Sequence, residues 1–208
     1  MDDLTKRTLD DYLNAVAQKT PTPGGGSVAA LVGASACALA RMVVAYSVGK
    51  QTELHTQERM DALLNQLRGA DEILRGLVTQ DATAYEAMSA AMKTARQASA
   101  PSPEYQDAVL AATAVPLEAA AAASHALAAM DELKNIVNPR LVSDLGVAAL
   151  LAEAAARTAW YMAATNLPEL ADAGKREKIR EAIQETIKHC VDHSRSIENY
   201  VRRCLEST

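Results

Sequence analysis

From Thr52 to about Arg96 one apolar spacing repeats without a break. Met60, Leu63, Leu64, Leu67, Ile73, Leu74, Leu77, Val78, Tyr85 and Met88 recur at the period of an α-helix, not at the alternation of a strand. A helix of that length needs other helices to cover its apolar stripe, and the rest of the chain supplies them. Leu4–Gln18 carries Leu9, Leu13, Val16 and Ala17 at helical spacing, and Ser27–Val48 is apolar nearly all round. A fourth segment, from Glu104 to about Val137, follows the break at Pro101-Ser102-Pro103. A fifth opens at Asn138-Pro139, read as N-cap and first helical residue, and reaches Thr165. Lys175–Leu205 is a last amphipathic helix. Pro116 removes one hydrogen bond inside the fourth segment and predicts a kink there. Nothing reads as a strand or a linker. The expectation is one all-α domain over 1–208, a bundle of about six helices with one long kinked helix pair.

Composition adds how such a bundle packs. There is no Phe, and aromatics make up 3% of 208 residues, so alanine-rich surfaces must approach closely. Ser27–Val48 and Ala119–Ala129 are too apolar to face water, which predicts a homodimer that covers them. The net charge of −5 gives no basic surface for nucleic acid. Cys37, Cys190 and Cys204 are far apart, and His189 and His193 lack a third ligand, so no metal site and no disulfide framework is expected. Met1-Asp2-Asp3 is the opposite of a signal-peptide start, and Arg41 interrupts the apolar segment. A buried helix in a cytoplasmic protein is therefore expected, with an interior anion or carboxylate as partner for Arg41.

Chemistry concentrates in a few places. Pro21-Thr22-Pro23-Gly24-Gly25-Gly26-Ser27 fixes the backbone, frees it, then opens a helix with Ser27 as its N-cap. Such a loop suits an anion, or is an ordinary tight turn. Asp81 shares a helical face with Leu74, Leu77, Val78, Tyr85 and Met88, where desolvation would raise its pKa. Asp144 lies three, four and seven residues before Val147, Ala148 and Leu151, and reads as a second inward carboxylate or as first-turn helix chemistry. Lys50 closes the apolar helix as a charge partner or a C-terminal cation. Asn138 and Asn166 read as helix-end residues or as amides able to pair with a heterocycle, and Ser143 as a support for Asp144 or a helix cap.

Taken in order, these strings resemble the formiminotransferase-cyclodeaminase C-terminal family. Pro21–Ser27 is similar to its Pro-x-Pro-Gly-Gly-Gly-Ser/Gly, Ser47-Val48-Gly49-Lys50 to its Thr-x-Gly-Lys, and Asp81 with Ala84-Tyr85 to its Asp-x-x-Ala-aromatic. Val115-Pro116-Leu117, then Asn138 with Ser143-Asp144-Leu145-Gly146-Val147-Ala148, and finally Asn166-Leu167 continue the likeness. Met162 stands where the family usually places an Asn, and Gln51-Thr52-Glu53-Leu54 where many members have an aromatic.

The resemblance implies a homodimer and folate one-carbon chemistry without metal or other cofactor. The expected reaction converts 5-formiminotetrahydrofolate to 5,10-methenyltetrahydrofolate with release of ammonia. The alternatives are a methenyltetrahydrofolate cyclohydrolase or a non-catalytic folate-binding module. On this reading Asp144 is the principal acid/base, Asp81 its partner or a pterin anchor, and Lys50 electrostatic support. Pro23, Gly24, Gly25, Gly26, Ser27, Asn138, Ser143 and Asn166 bind substrate. A formiminotransferase would be a separate polypeptide.

Overall fold

The computed structural model describes residues 2–49, 53–96 and 102–207. Lys50 therefore lies outside the described residues, as do Gln51, Thr52 and Pro101. Among the described residues every regular element is helical: α1 (Leu9–Val16), α2 (Gly25–Ser47), α3 (Leu54–Ala95), α4 (Pro103–Leu133), α5 (Val142–Asn166) and α6 (Ala173–Glu206). A short 3-10 turn, Leu4–Lys6, precedes α1, and two more, Pro139–Leu141 and Leu167–Glu169, lie between α4 and α5 and between α5 and α6.

The core is built largely on alanine. Ala36, Ala40, Ala123, Ala126, Ala152 and Ala156 are fully buried or nearly so, and Met60, Leu67, Leu74, Leu127 and Leu145 fill the gaps between helices. α2 runs antiparallel to α5. Gly25 at its start faces Met162, Gly33 faces Ala155, and Ser47 at its end accepts the Asn138 N–H at 2.9 Å. On its other side α2 is tied to α3 by Arg41, whose guanidinium donates to Asp71. Asp71 is 3% exposed and also takes Arg75 at 2.7 Å. The interior partner expected for Arg41 is thus Asp71.

Several local expectations need correction. The first helix is shorter than Leu4–Gln18: Thr8 caps α1 through the Asp11 N–H, and Tyr12 is its buried residue while Leu9 and Leu13 face outward. The N-cap of α2 is Gly24 rather than Ser27, whose side chain is fully buried against Tyr12. Asn138 caps the 3-10 turn Pro139–Leu141, which then leads into α5. α4 continues through the buried Pro116. Its alanine-rich stretch needs no second subunit, since Ala119, Ala120, Ala123, Ala126 and Ala129 are covered within the bundle.

α2 is different. Val28, Leu31, Val32, Leu39 and Met42 form a half-buried outer stripe without a charge, and Tyr46 extends it at 68% exposure. Beside it α5 presents Val147 (49% exposed), Leu150 (47%) and Tyr161 (59%). The two stripes make one apolar face along the length of both helices.

Candidate functional site

The glycine string folds back on α3. Thr22–Pro23 is a cis peptide bond. α2 then starts with no side-chain cap of its own, and Asp81 of α3 takes that role: its Oδ2 accepts the Ser27 N–H at 2.9 Å. A carboxylate from another helix thus answers the positive end of α2. Ser27 holds the turn from beneath, its Oγ 2.9 Å from the Tyr12 hydroxyl.

The glycines serve close approach. None of them has φ in the left-handed region. A Cβ on Gly26 would lie 2.0 Å from Asp81 Oδ1, so only glycine lets this carboxylate reach the helix start. A Cβ on Gly25 would meet the Met162 sulfur at 3.0 Å.

Burial pushes the Asp81 carboxyl above the usual carboxylate range, and the Ser27 N–H pulls partly the other way. The carboxyl opens into a cavity of about 180 Å³, walled by Gly24–Gly26, Tyr85, Met88, Met162 and Asn166. Asn166 is oriented there by its Nδ2–H, which donates to the Ala112 carbonyl at 3.2 Å. Across the Gly25–Met162 contact lies a more apolar crevice of about 500 Å³, between Val28 and Val32 of α2 and Ala154, Thr158 and Tyr161 of α5. The two cavities share Pro21, Gly24, Gly25 and Met162 in their walls. Pro23 is buried and lines the crevice.

The remaining sequence-derived residues lie elsewhere. Asn138 donates its Nδ2–H to the Tyr46 carbonyl at 3.0 Å, at the far end of α2. Asp144 is half-exposed in the first turn of α5, and Ser143 beside it is exposed. From Asp144 to Asn166 is roughly 33 Å along the helix at 1.5 Å per residue. One protomer therefore brings together Asp81, Gly24–Ser27 and Asn166 but not Asp144. Three residues that sequence reasoning did not assign to the site shape it: Met162, Tyr12 and Ala112. Met162 carried a signal as a departure from an expected amide; the other two carried none.

The geometry defines a helical bundle with a half-buried carboxyl held at a glycine-rich helix start. The formiminotransferase-cyclodeaminase family pattern matches residues 8–185, and the chain belongs to that family. It is 30% identical over 203 residues to a methenyltetrahydrofolate cyclohydrolase from Methylorubrum extorquens, covering 89% of this chain and 98% of that one. It is 32% identical over 189 residues to the formimidoyltransferase-cyclodeaminase of Rattus norvegicus. There it spans only 35% of the relative's length. A solved formiminotetrahydrofolate cyclodeaminase from Thermotoga maritima superposes with a TM-score of 0.88 over 97% of this chain and 99% of that one, at 26% identity.

Proposed function

We propose that this chain acts on one-carbon adducts of tetrahydrofolate, and that its reaction is cyclodeamination of the 5-formimino derivative. The observation that carries the reading is Asp81, a carboxyl with a raised pKa and a fixed orientation beside a cavity and an ordered amide. The chemistry needs a group that can both take and give a proton near neutral pH. N10 attacks the carbon of the protonated formimino group and forms the five-membered ring, while the C=N π pair moves onto the exocyclic nitrogen. The N10 proton passes to the exocyclic nitrogen, which leaves as ammonia and carries away its bonding pair. The product is the methenyl cation. A carboxyl at Asp81 suits this relay, so we give it the principal role that the sequence reading gave to Asp144, with Asp144 as the second candidate. Asn166 has the donor and acceptor that a pterin edge requires.

A second reading is hydrolysis of the methenyl bridge to 10-formyltetrahydrofolate, with water as nucleophile in the same pocket. The near-complete coverage of a cyclohydrolase of similar length favours it. One paired assay separates the two. Ammonia released from 5-formiminotetrahydrofolate supports the first, and loss of methenyl absorbance with no ammonia chemistry supports the second. A folded protein that does neither, yet binds folate, is a binding module.

A further inference from the structure

We propose that Tyr12 is a positioning residue for Asp81: its phenol, acting through Ser27, fixes the helix-start N–H that holds the carboxylate. The catalytic consequence rests on the folate reading above; the link between Tyr12 and Asp81 rests on geometry.

The start of α2 has little of its own to hold it. Its N-cap, Gly24, offers no side chain to the free N–H groups of the first turn, and Gly25 and Gly26 add no side-chain packing. A helix end of this kind frays unless something outside the helix grips it. Two grips are present. One is Asp81 itself, whose Oδ2 accepts the Ser27 N–H at 2.9 Å. The other is Tyr12, whose hydroxyl lies 2.9 Å from Ser27 Oγ. Phenol and carboxylate thus restrain the same residue, one at its side chain and one at its backbone.

Burial makes the second grip firm. Ser27 is fully buried and Tyr12 is 4% exposed, so neither hydroxyl can exchange the other for bulk water. The rest of α1 shows what docks it. Tyr12 is its one buried residue, while Leu9 is 69% exposed and Leu13 54%. A helix of eight residues that leaves its leucines outside is held by that phenol. The chain on either side is tied to α3. The Leu4 N–H donates to Thr79 Oγ1 at 2.8 Å, and Thr22 Oγ1 donates to Glu86 at 3.2 Å. The two ties flank Asp81 along α3, and Tyr12 lies between them in the chain.

Tyr12 does not reach the substrate space. It lines neither the Asp81 cavity nor the crevice beside it. Burial pushes its phenol above the usual range, and the Asp81 charge adds to this against the Ser27 bond, so it keeps its proton near neutral pH. What it transmits is position. A Cβ on Gly26 would stand 2.0 Å from Asp81 Oδ1, so any shift of the first turn moves the carboxyl or breaks its bond to Ser27. That bond opposes the effect of burial on Asp81, and loosening it raises the Asp81 pKa further. Among the described residues the titratable groups facing Asp81 are Tyr12 from α1 and Tyr85 from α3. The wall that α2, α4 and α5 contribute, including Ala112, Met162 and Asn166, carries no charge.

Tyr12→Phe removes one oxygen and tests the link. Turnover should fall roughly 10- to 100-fold with KM nearly unchanged. The pH–rate limb that disappears in Asp81→Asn should move to higher pH. Ser27→Ala should act in the same way. Tyr12→Phe combined with Ser27→Ala should turn over no more slowly than either alone, because the two hydroxyls act as one unit. The combined variant should also melt higher than either single one, since no hydroxyl is left buried without a partner, and it serves where a single variant fails to fold. A phenol that only holds the fold together would lower the melting temperature and leave kcat and the limb in place, which would overturn the proposal.

A second measurement needs no substrate. The Asp81 side-chain carboxyl can be titrated by ¹³C NMR, its signal assigned by its loss in Asp81→Asn. It should titrate at higher pH in Tyr12→Phe and in the combined variant than in the wild type. Coincident curves would sink the link whatever the kinetics show. If the wild type turns over no folate, the functional reading falls, and the titration still decides whether Tyr12 positions Asp81.

Discussion

At the residue scale, Asp81 and Gly26 form one unit. Asp81→Asn keeps an oxygen for the Ser27 N–H and removes the titrating proton. Turnover should fall by roughly 10²–10⁴-fold, measured as ammonia release under saturating substrate. Stability should move the other way. The folded carboxyl has a raised pKa, so the native state holds its proton more tightly than the unfolded chain. That contribution is complete below the unfolded pKa and is lost as pH rises through the folded one. The Asn variant should therefore gain in melting temperature over the wild type at neutral pH, and the gain should shrink in acid. An unchanged difference across that range would mean Asp81 is as solvated as a free carboxylate. The glycines divide in a parallel way. Gly26→Ala must displace the anchored Asp81 and should cost about 1–3 kcal/mol in a denaturant titration, with loss of activity. Gly25→Ala meets only the flexible end of Met162 and should cost much less. Asp81 was legible because a carboxylate interrupts an apolar stripe. Which glycine is obligatory was not, because that depends on the Asp81 side chain of another helix.

At the scale of elements, the bundle was legible from periodicity, and its errors lie where a short helix or a cap is decided by a distant neighbour. Leu9 and Leu13 promised a core-facing α1, yet Tyr12 is its anchor because it reaches Ser27. Ser27 looked like a cap, yet Asp81 occupies that role and frees Ser27 to be buried. The tie between α2 and α3 likewise depends on a residue of another helix. Asp71 accepts from both Arg41 and Arg75, and it is the one of the three that is shut away from water. Arg41→Met keeps the apolar stem but strands a buried carboxylate beside a half-exposed arginine. Loss of one partner of a buried pair costs about 3–5 kcal/mol. The outward exposure of Arg41 places the expected loss near the lower figure, read as a fall in the urea midpoint with an unchanged slope.

At the scale of the molecule, the apolar α2/α5 face sets the expectation for assembly. Sedimentation at micromolar concentration should give twice 22.1 kDa. Tyr161→Glu places a charge on that face and should shift the species toward the monomer without unfolding it, since Tyr161 is 59% exposed in the protomer. A Tyr161→Glu protein that sediments like the wild type would locate the contact elsewhere. The sequence order of the site residues was legible, but not their separation. Asp144 and Asp81 read as neighbours in a pocket, and the lengths of α2 and α5 hold them apart. Spacing along a chain says which face of a helix a residue occupies; it does not say which end of a bundle it reaches.

The Gly26–Asp81 contact also limits how this site can change over time. A side chain at position 26 is excluded as long as an aspartate stands at 81, so either substitution alters the worth of the other. A double-mutant cycle on Gly26→Ala and Asp81→Gly should give a strongly non-additive stability term, with the pair tolerated better than Gly26→Ala alone. Any drift away from carboxylate chemistry in this pocket is therefore ordered: the acid must go before the helix start can accept a larger residue. A glycine-rich string by itself is a poor guide to a working site, and the string together with its distant aspartate is a historical record of one.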